Sequence, residues 1–238
     1  MEHQVELVTK HINFLKSLDT DEFYDKEEDE VRSYAQNTLT ELIQLGTTAT
    51  NELVSLLNTE FTWSCYFALT ILRQTKDPQA VPALIAFLKK ESDDSLANEE
   101  AMFILQDVGD LSIALLLEEL EEEFDNKKYN SYLVGAFTGI IGPEPYDFMV
   151  KITKDFISKP WRYKGWFHIE DFTYNFVTQE RQDVVPLLKQ VLEVKTISGT
   201  EKQEIEDTIK ALQDPESYEK KIQETLHDIS EAVQKSDF

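Results

Sequence analysis

Side chains that could hold a metal ion or act as nucleophiles are few in this sequence, and their spacing fits no common catalytic motif. The histidines are His3, His11, His168 and His227. They lie far apart and none is followed by glutamate, whereas a metal ion needs three or four donors close together. The sequence also contains no glycine-rich phosphate loop, no zinc-type cysteine spacing and no Gly-x-Ser-x-Gly turn. We therefore predict no catalytic residue, no metal and no cofactor.

Two residues of a reactive type are interpreted as structural. Cys65 is the single cysteine and permits no internal disulfide, which is typical of a reducing compartment. It lies in the stretch 63–67, which contains three aromatic residues, so we expect a buried thiol. His168 follows Trp166 and Phe167 and is interpreted as a histidine at the edge of the core rather than as a ligand.

The most unusual stretch of the sequence is residues 159–167, called the Trp161 segment below. Residues 151–166 contain five basic side chains and one acidic side chain, and half of all aromatic residues lie between positions 129 and 176. Tryptophan, tyrosine and arginine are enriched in binding hot spots. The segment therefore predicts a partner-binding surface made by Trp161, Arg162, Tyr163 and Trp166. The alternative is that these rings fill the core at an irregular junction between repeats.

A run of acidic residues near the middle of the chain is a second candidate surface. Glu118, Glu119 and Glu122 belong to a run of six acids that contains no base. The run closes a predicted helix, where negative charge is mildly unfavourable. We predict that these three glutamates line a concave ridge beside Lys151 and Lys154. A solvated helix face is the alternative.

The net charge limits the class of partner. The 238 residues carry 46 acidic and 23 basic side chains, a formal charge of −23. Most nucleic-acid affinity comes from neutralising phosphates, so nucleic-acid binding is disfavoured. The charge favours a basic protein partner, although acidity can also serve solubility alone. No apolar run is long enough to span a membrane and the first residues lack a secretory signal, so we expect a cytoplasmic protein without membrane contact.

The elements that must position these residues are helices. Glycine and proline total only seven each, and apolar residues recur at spacings of three and four. Equivalent apolar positions at Leu84, Leu116, Ile152, Leu187 and Ile222 lie 32, 36, 35 and 35 residues apart, a period typical of helical repeats. We predict about six helical hairpins over residues 31–234. Their turns are expected at Gly46, Asp77-Pro78, Gly109-Asp110, Gly142-Pro143, Arg181-Gln182 and Asp214-Pro215.

The predicted organisation is a single all-α domain, an α-solenoid over residues 1–238. An N-terminal capping helix takes residues 1–18, an acidic linker residues 19–30 and the repeats residues 31–234. Residues 133–142 and 172–177 are rich in strand formers. A lone strand in a helical stack would leave its backbone unpaired, so both segments are predicted helical, with Gly135 and Gly139 permitting close approach of a neighbouring helix.

Residues 76–90, KDPQAVPALIAFLKK, resemble HEAT and HEAT-like repeats of the phycocyanobilin-lyase type, in which an Asp-Pro turn leads into a Val-Pro-x-Leu helix. GDLSIALLLEEL and RQDVVPLLKQVL resemble them in part, and the resemblance extends in outline over residues 31–234. It implies an α-solenoid, a fold that offers area and curvature for binding without a catalytic feature of its own.

Two enzyme families with HEAT-like repeats supply alternatives. Deoxyhypusine hydroxylases hold iron through paired His-Glu dipeptides, which this sequence lacks. HEAT-like alkylpurine DNA glycosylases place Trp, Arg and Asp side chains near the damaged nucleotide, and the resemblance would give those roles to Trp161, Arg162 and Asp171. The net negative charge disfavours that activity. The sequence thus predicts a non-catalytic protein-interaction or scaffold module, in its sharper form an acidic inhibitor of a basic protein, with the glycosylase as the alternative.

Overall fold

The computed structural model describes residues 2–58, 62–90, 95–218 and 220. Within these residues the chain forms fourteen α-helices, three short 3₁₀ helices and no strand, which confirms the predicted all-α fold. The α-helices are α1 (Glu2–Lys16), α2 (Asp21–Tyr24), α3 (Glu28–Leu45), α4 (Thr50–Val54), α5 (Trp63–Thr75), α6 (Val81–Leu88), α7 (Ser95–Val108), α8 (Asp110–Asp125), α9 (Ser131–Thr138), α10 (Pro143–Ser158), α11 (Pro160–Tyr163), α12 (Ile169–Tyr174), α13 (Val185–Leu192) and α14 (Gly199–Gln213). Across these same described ranges, each helix is too short or too polar to cross a membrane.

The chain forms two compact units. The N-terminal unit comprises Met1–Asn126 and Asn130–Ile140, and the C-terminal unit comprises Lys127–Tyr129 and Ile141–Phe238. The fourth predicted hairpin is divided between them, with α9 in the first unit and α10 in the second. One domain over residues 1–238 therefore stays a prediction.

The N-terminal unit stacks its helices as a solenoid does. The first helices of successive hairpins, α3, α5, α7 and α9, pack against one another in chain order, and the second helices α6 and α8 also pack together. Each hairpin thus covers the apolar face of its neighbour. Helix α1 packs on α3, α4 and α5. It buries Val8, Ile12 and Leu15 and leaves Val5 exposed.

The turn of the second hairpin forms where the sequence predicts it. Helix α5 ends at Thr75 and is followed by Lys76, which has the left-handed backbone conformation (φ 48°). Asp77 then caps the following 3₁₀ turn, because its Oδ1 accepts a hydrogen bond from the Gln79 amide at 3.1 Å. Pro78 occupies a first-turn position, where a missing N–H costs nothing. The buried hydroxyl of Thr50 donates to the same carboxylate, which ties this turn to α4.

Helix α9 lies very close to α7, as the small residues predict. A Cβ atom on Gly135 would lie 2.6 Å from Sδ of Met102, and one on Gly139 would lie 2.1 Å from Nε2 of Gln106. That Gln106 amide donates to the carbonyl of Gly135 at 2.9 Å. Glycine at these two positions therefore lets the Met102 and Gln106 side chains of α7 lie against α9, and a larger residue would have to displace them.

Residues 19–30, predicted as an acidic linker, are partly ordered against the first hairpins. They contain α2, and α3 already begins at Glu28. Asp19 accepts hydrogen bonds from the amide and hydroxyl of Ser64 at 2.9 and 2.6 Å. The Trp63 indole donates to the carbonyl of Phe23 at 2.9 Å. These bonds anchor the segment on the start of α5.

The C-terminal unit repeats the solenoid pattern. Helix α10 packs on α13, and α12 packs on α14. Ile152 is buried as predicted, but Leu187 is half-buried and Leu188 takes the fully buried position one residue later. The second helix of the sixth hairpin, predicted around Ile222, lies outside the described residues.

Candidate functional site

The Trp161 segment leaves the helical repeat because of its proline and glycine. Helix α10 ends at Ser158, and Pro160 begins the short helix α11 because it cannot continue the hydrogen bonding of α10. Gly165 has a φ of +84°, a conformation that favours glycine. The chain thereby turns within the segment and returns its aromatic residues toward α10.

Asp155 on α10 holds the segment in place. Its carboxylate accepts hydrogen bonds from Nζ of Lys159 at 2.8 Å, from Nη1 of Arg162 at 3.1 Å and from the hydroxyl of Tyr163 at 2.8 Å. The Lys159 ammonium, the Tyr163 hydroxyl and the Arg162 charge together lower the pKa of Asp155. Two of the predicted cations of the segment are therefore already paired within the chain.

The aromatic residues of the segment divide between core and surface. Tyr163 is 3% exposed and packs against Phe156 and Phe167 at ring-centroid distances of 5.7 and 5.0 Å. Burial raises the pKa of its hydroxyl. Tyr163 supports the segment from inside, which corrects the expectation of a surface contact: the desolvated ring is held by the core and its hydroxyl by Asp155.

Trp161 and Trp166 differ in the same way. Trp161 is 71% exposed. Trp166 is half-buried, stacks on Tyr163 at 5.4 Å, and donates its indole N–H to the carbonyl of Arg162 at 2.8 Å. Trp161 is thus the ring that the segment presents to solvent. Trp166 instead packs on Tyr163 within the segment.

The predicted acidic ridge belongs to the N-terminal unit. Glu118 is exposed on α8. Lys89 forms an ion pair with Glu119 and lies 4.0 Å from Glu122, so part of the negative charge is neutralised within the unit. Lys151 and Lys154 are exposed on α10 of the C-terminal unit. The shared ridge of glutamates and lysines stays a prediction, because its members belong to different units.

The residues that the glycosylase resemblance singles out do not form a described trio. Arg162 bonds to Asp155, and Asp171 is exposed in the first turn of α12. Within the described ranges, His168, Glu170 and Asp171 form the one group whose ligand atoms lie within 4.8 Å of one another. Two of the three side chains are exposed, and such acidic groups are common without a metal. We assign no ion to them.

The sequence interpretation misses a groove in the N-terminal unit between α3, α5 and α7. Its side chains come from three helices that lie far apart in the chain. One signal was available: Tyr66, Thr70 and Arg73 are spaced four and three residues apart on α5, so they share one face of that helix. This face of α5 is polar and aromatic, whereas the opposite face is apolar.

Comparison with known proteins supports the repeat. No curated protein and no solved structure matches the chain. Residues 65–90 match the model of the PBS lyase HEAT-like repeat, and this range contains α5 from its third residue onward, the Asp77 turn and α6. The match thus includes the residues 76–90 that carry the predicted resemblance and the helix before them. HEAT-like repeats generally mediate protein–protein interaction. Residues 65–90 are therefore similar to a PBS lyase HEAT-like repeat, and they lie within the all-α fold of the described residues.

Proposed function

We propose that this chain is a non-catalytic protein-interaction module whose partner contacts the Trp161 segment. The observation that carries the proposal is the 71% exposure of Trp161 on a segment that is otherwise fastened to α10. A large ring held out in solvent on an ordered support is unfavourable for the free protein and is typical of binding hot spots. Helical repeats with broad surfaces suit this role.

The order of the segment supports binding. Asp155, Tyr163 and Trp166 fix the backbone that carries Trp161, through the three bonds to Asp155 and the stacked ring. A partner therefore meets a preformed surface and loses little conformational entropy on its side of the contact. Arg162 adds planar donors beside the ring.

The partner that we propose is a basic protein. Residues 151–166 stay net positive although Asp155 pairs with Lys159 and Arg162, so the attraction for a basic partner comes from the rest of the chain, which brings the total charge to −23. Glu118 is exposed and contributes to this charge. Complementary charge would speed association and make it sensitive to salt. An acidic inhibitor of a basic enzyme or toxin is the sharpest form of this proposal.

The test compares three baits in affinity purification from the native cytosol with quantitative mass spectrometry. The baits are the native chain, Trp161→Ala and Leu111→Ala. Leu111 is a matched control, since it is 67% exposed on α8. We expect one protein to be retained by the native chain and by the control but lost from Trp161→Ala, while the melting temperatures of all three agree. Retention of the same proteins by all three baits would refute the proposed contact.

Kinetics with the recovered partner test the charge. Its association rate should fall steeply as salt rises, because screening weakens the attraction between opposite charges. An unchanged rate would refute a basic partner while leaving the Trp161 contact intact.

A further inference from the structure

The N-terminal unit contains a groove of about 600 Å³ on the face made by α3, α5 and α7. Helix α5 contributes Leu69, which is buried, and Tyr66, which is half-buried, to its lining. Phe103 of α7 is 37% exposed at the side of the groove. The groove is thus a concave surface with apolar rings in its walls, a shape suited to an inserted side chain.

One end of the groove is fixed by a network around Tyr66. Arg32 donates to Oε1 of Glu28 at 2.9 Å and to the Tyr66 hydroxyl at 2.7 Å. The Tyr66 hydroxyl donates in turn to Glu28. These bonds, together with the charge of Arg32, lower the pKa of Glu28. Both charges are therefore satisfied, and the ring of Tyr66 is held in one orientation.

The other end of the groove also combines an arginine, a glutamate and an aromatic ring. Arg73 donates to Oε2 of Glu100 at 2.7 Å. The Arg73 guanidinium carbon also lies 5.3 Å from the ring centroid of Phe103, within the range of a cation–π contact. Arg73 also lies 3.7 Å from Asp107. Each arginine of the groove thus pairs with a glutamate and lies near an aromatic ring, which for Arg32 is Tyr66 at 5.7 Å. These hydrogen bonds and ring contacts hold the side chains of the groove in place before any partner binds.

The groove has a net negative charge. Its lining contains Arg32 and Arg73 against Glu28, Glu99 and Glu100, a net charge of −1. Glu28 and Glu100 are paired with the arginines. Glu99 is exposed and has no ion-pair partner within the part of the chain that the structure describes. An occupant would therefore gain from a positive charge at Glu99, and an acidic occupant would compete with Glu28 and Glu100 for the arginines.

We propose that this groove docks a segment of a partner protein that inserts a large apolar side chain between Tyr66 and Phe103 and places a lysine or arginine on Glu99. Charge complementarity selects this occupant over an acidic segment, and the net charge of the chain adds to the preference. The site is separate from the Trp161 segment, which belongs to the other unit, so the proposal goes beyond the proposed function.

Panning of a display library of random short peptides tests this proposal. The target is the full native chain, and the counter-selection uses Glu99→Lys. Glu99 is exposed and unpaired, so this substitution leaves the fold intact, and circular dichroism verifies that. We expect enriched peptides to carry a large apolar residue together with lysine or arginine.

Affinities of the synthetic peptides, measured by fluorescence anisotropy, then locate the contact. Glu99→Lys and Phe103→Ser should each weaken binding about tenfold, as for contacts near the centre of an interface. Replacing the peptide's basic residue with glutamate should restore binding to the Glu99→Lys chain. The matched control Glu52→Lys changes an exposed acid on α4, outside the groove, and should leave the affinity unchanged.

Three results would overturn the proposal. The first is that no peptide is enriched after counter-selection. The second is enrichment of acidic peptides, and the third is an affinity that Glu99→Lys and Phe103→Ser do not change. Trp161→Ala should bind the peptides as the native chain does, which keeps this test independent of the proposed function.

Discussion

Replacing Gly139 with alanine measures how tightly α9 is packed on α7. The new Cβ atom would lie 2.1 Å from Nε2 and 2.5 Å from Cδ of Gln106, so the amide of Gln106 must move. It would then lose its 2.9 Å hydrogen bond to the carbonyl of Gly135. The backbone itself accepts alanine, because Gly139 has the right-handed helical conformation (φ −74°).

The expected loss of stability is about 2 kcal/mol. The hydrogen bond contributes about 1 kcal/mol, and overpacking a close contact costs about 1–3 kcal/mol. Removing glycine from a helix end offsets about 0.5–1 kcal/mol. For a chain of this size each kcal/mol lowers the melting temperature by about 2–4 °C. Thermal unfolding followed by circular dichroism should therefore show a decrease of about 4–8 °C.

Two further variants decide whether the reasoning is correct. Gly199→Ala is the matched control, since a Cβ there meets nothing within 4 Å, and it should not lower the melting temperature. In a Gln106→Ala background the two nearest obstructing atoms are absent and only the carbonyl oxygen of Gly135, at 2.9 Å, remains close to the new Cβ, so Gly139→Ala should cost less than in the native chain. A Gly139→Ala chain as stable as the native one, or an equal cost in both backgrounds, would refute the close packing.

Other substitutions test the remaining polar contacts. Asp155→Asn should lower stability by about 1–2 kcal/mol at neutral pH. Because the pKa of Asp155 is lowered in the folded chain, the stabilisation by its carboxylate is present above about pH 4 and is lost as pH falls through the folded pKa. Glu170→Gln should raise stability by about 1 kcal/mol at neutral pH, because burial, Glu201 and Asp171 raise the pKa of Glu170. Asp77→Ala should cost about 2 kcal/mol in cap and buried hydrogen bonds, measured by urea unfolding.

Matched measurements check each of these. For Asp155→Asn, melting curves from pH 7 to pH 2 should converge with those of the native chain, and a constant difference would contradict the assigned ionisation. For Glu170→Gln, the gain should vanish below about pH 4, where the native carboxyl is protonated in both states; a loss of stability at pH 7 would contradict it. For Asp77→Ala, the Asp77→Asn variant should retain most stability, because asparagine also caps helices.

Much of the architecture could be predicted because it depends on neighbouring residues. The Asp77-Pro78 turn and the glycine-ended α3 follow from local conformational preference and from apolar periodicity. Of the two segments predicted helical, residues 133–138 and 172–174 are in helices, whereas the prediction was wrong for residues 139–142 and 175–177, which lie beyond the ends of α9 and α12. Burial of Cys65 follows in the same way from the aromatic residues beside it. The prediction that Leu187 is the core position was wrong by one residue, because Leu188 is the fully buried one. The apolar face of a helix is wide enough for either of two adjacent leucines to point into the core.

The candidate sites depend on tertiary contacts that cannot be predicted from local sequence. Composition marks residues 159–167 as unusual, but the exposure of Trp161 and the burial of Tyr163 arise from Asp155 and Phe156 on the preceding helix. All four rings of that segment carry the same local signal. Only packing distinguishes Trp161, which faces solvent, from the three rings that support it.

By itself the sequence determined the helical repeat, its turns and its strongly acidic charge, because each of these depends on residue type and short-range spacing. The tertiary structure alone decided which charges are neutralised and where a cavity remains. Glu28 meets Tyr66 across 38 positions, and Arg73 meets Glu100 across 27. The physical reason is that stacking of the hairpins brings these side chains together, and whether a glutamate such as Glu99 keeps its charge available depends on that stacking.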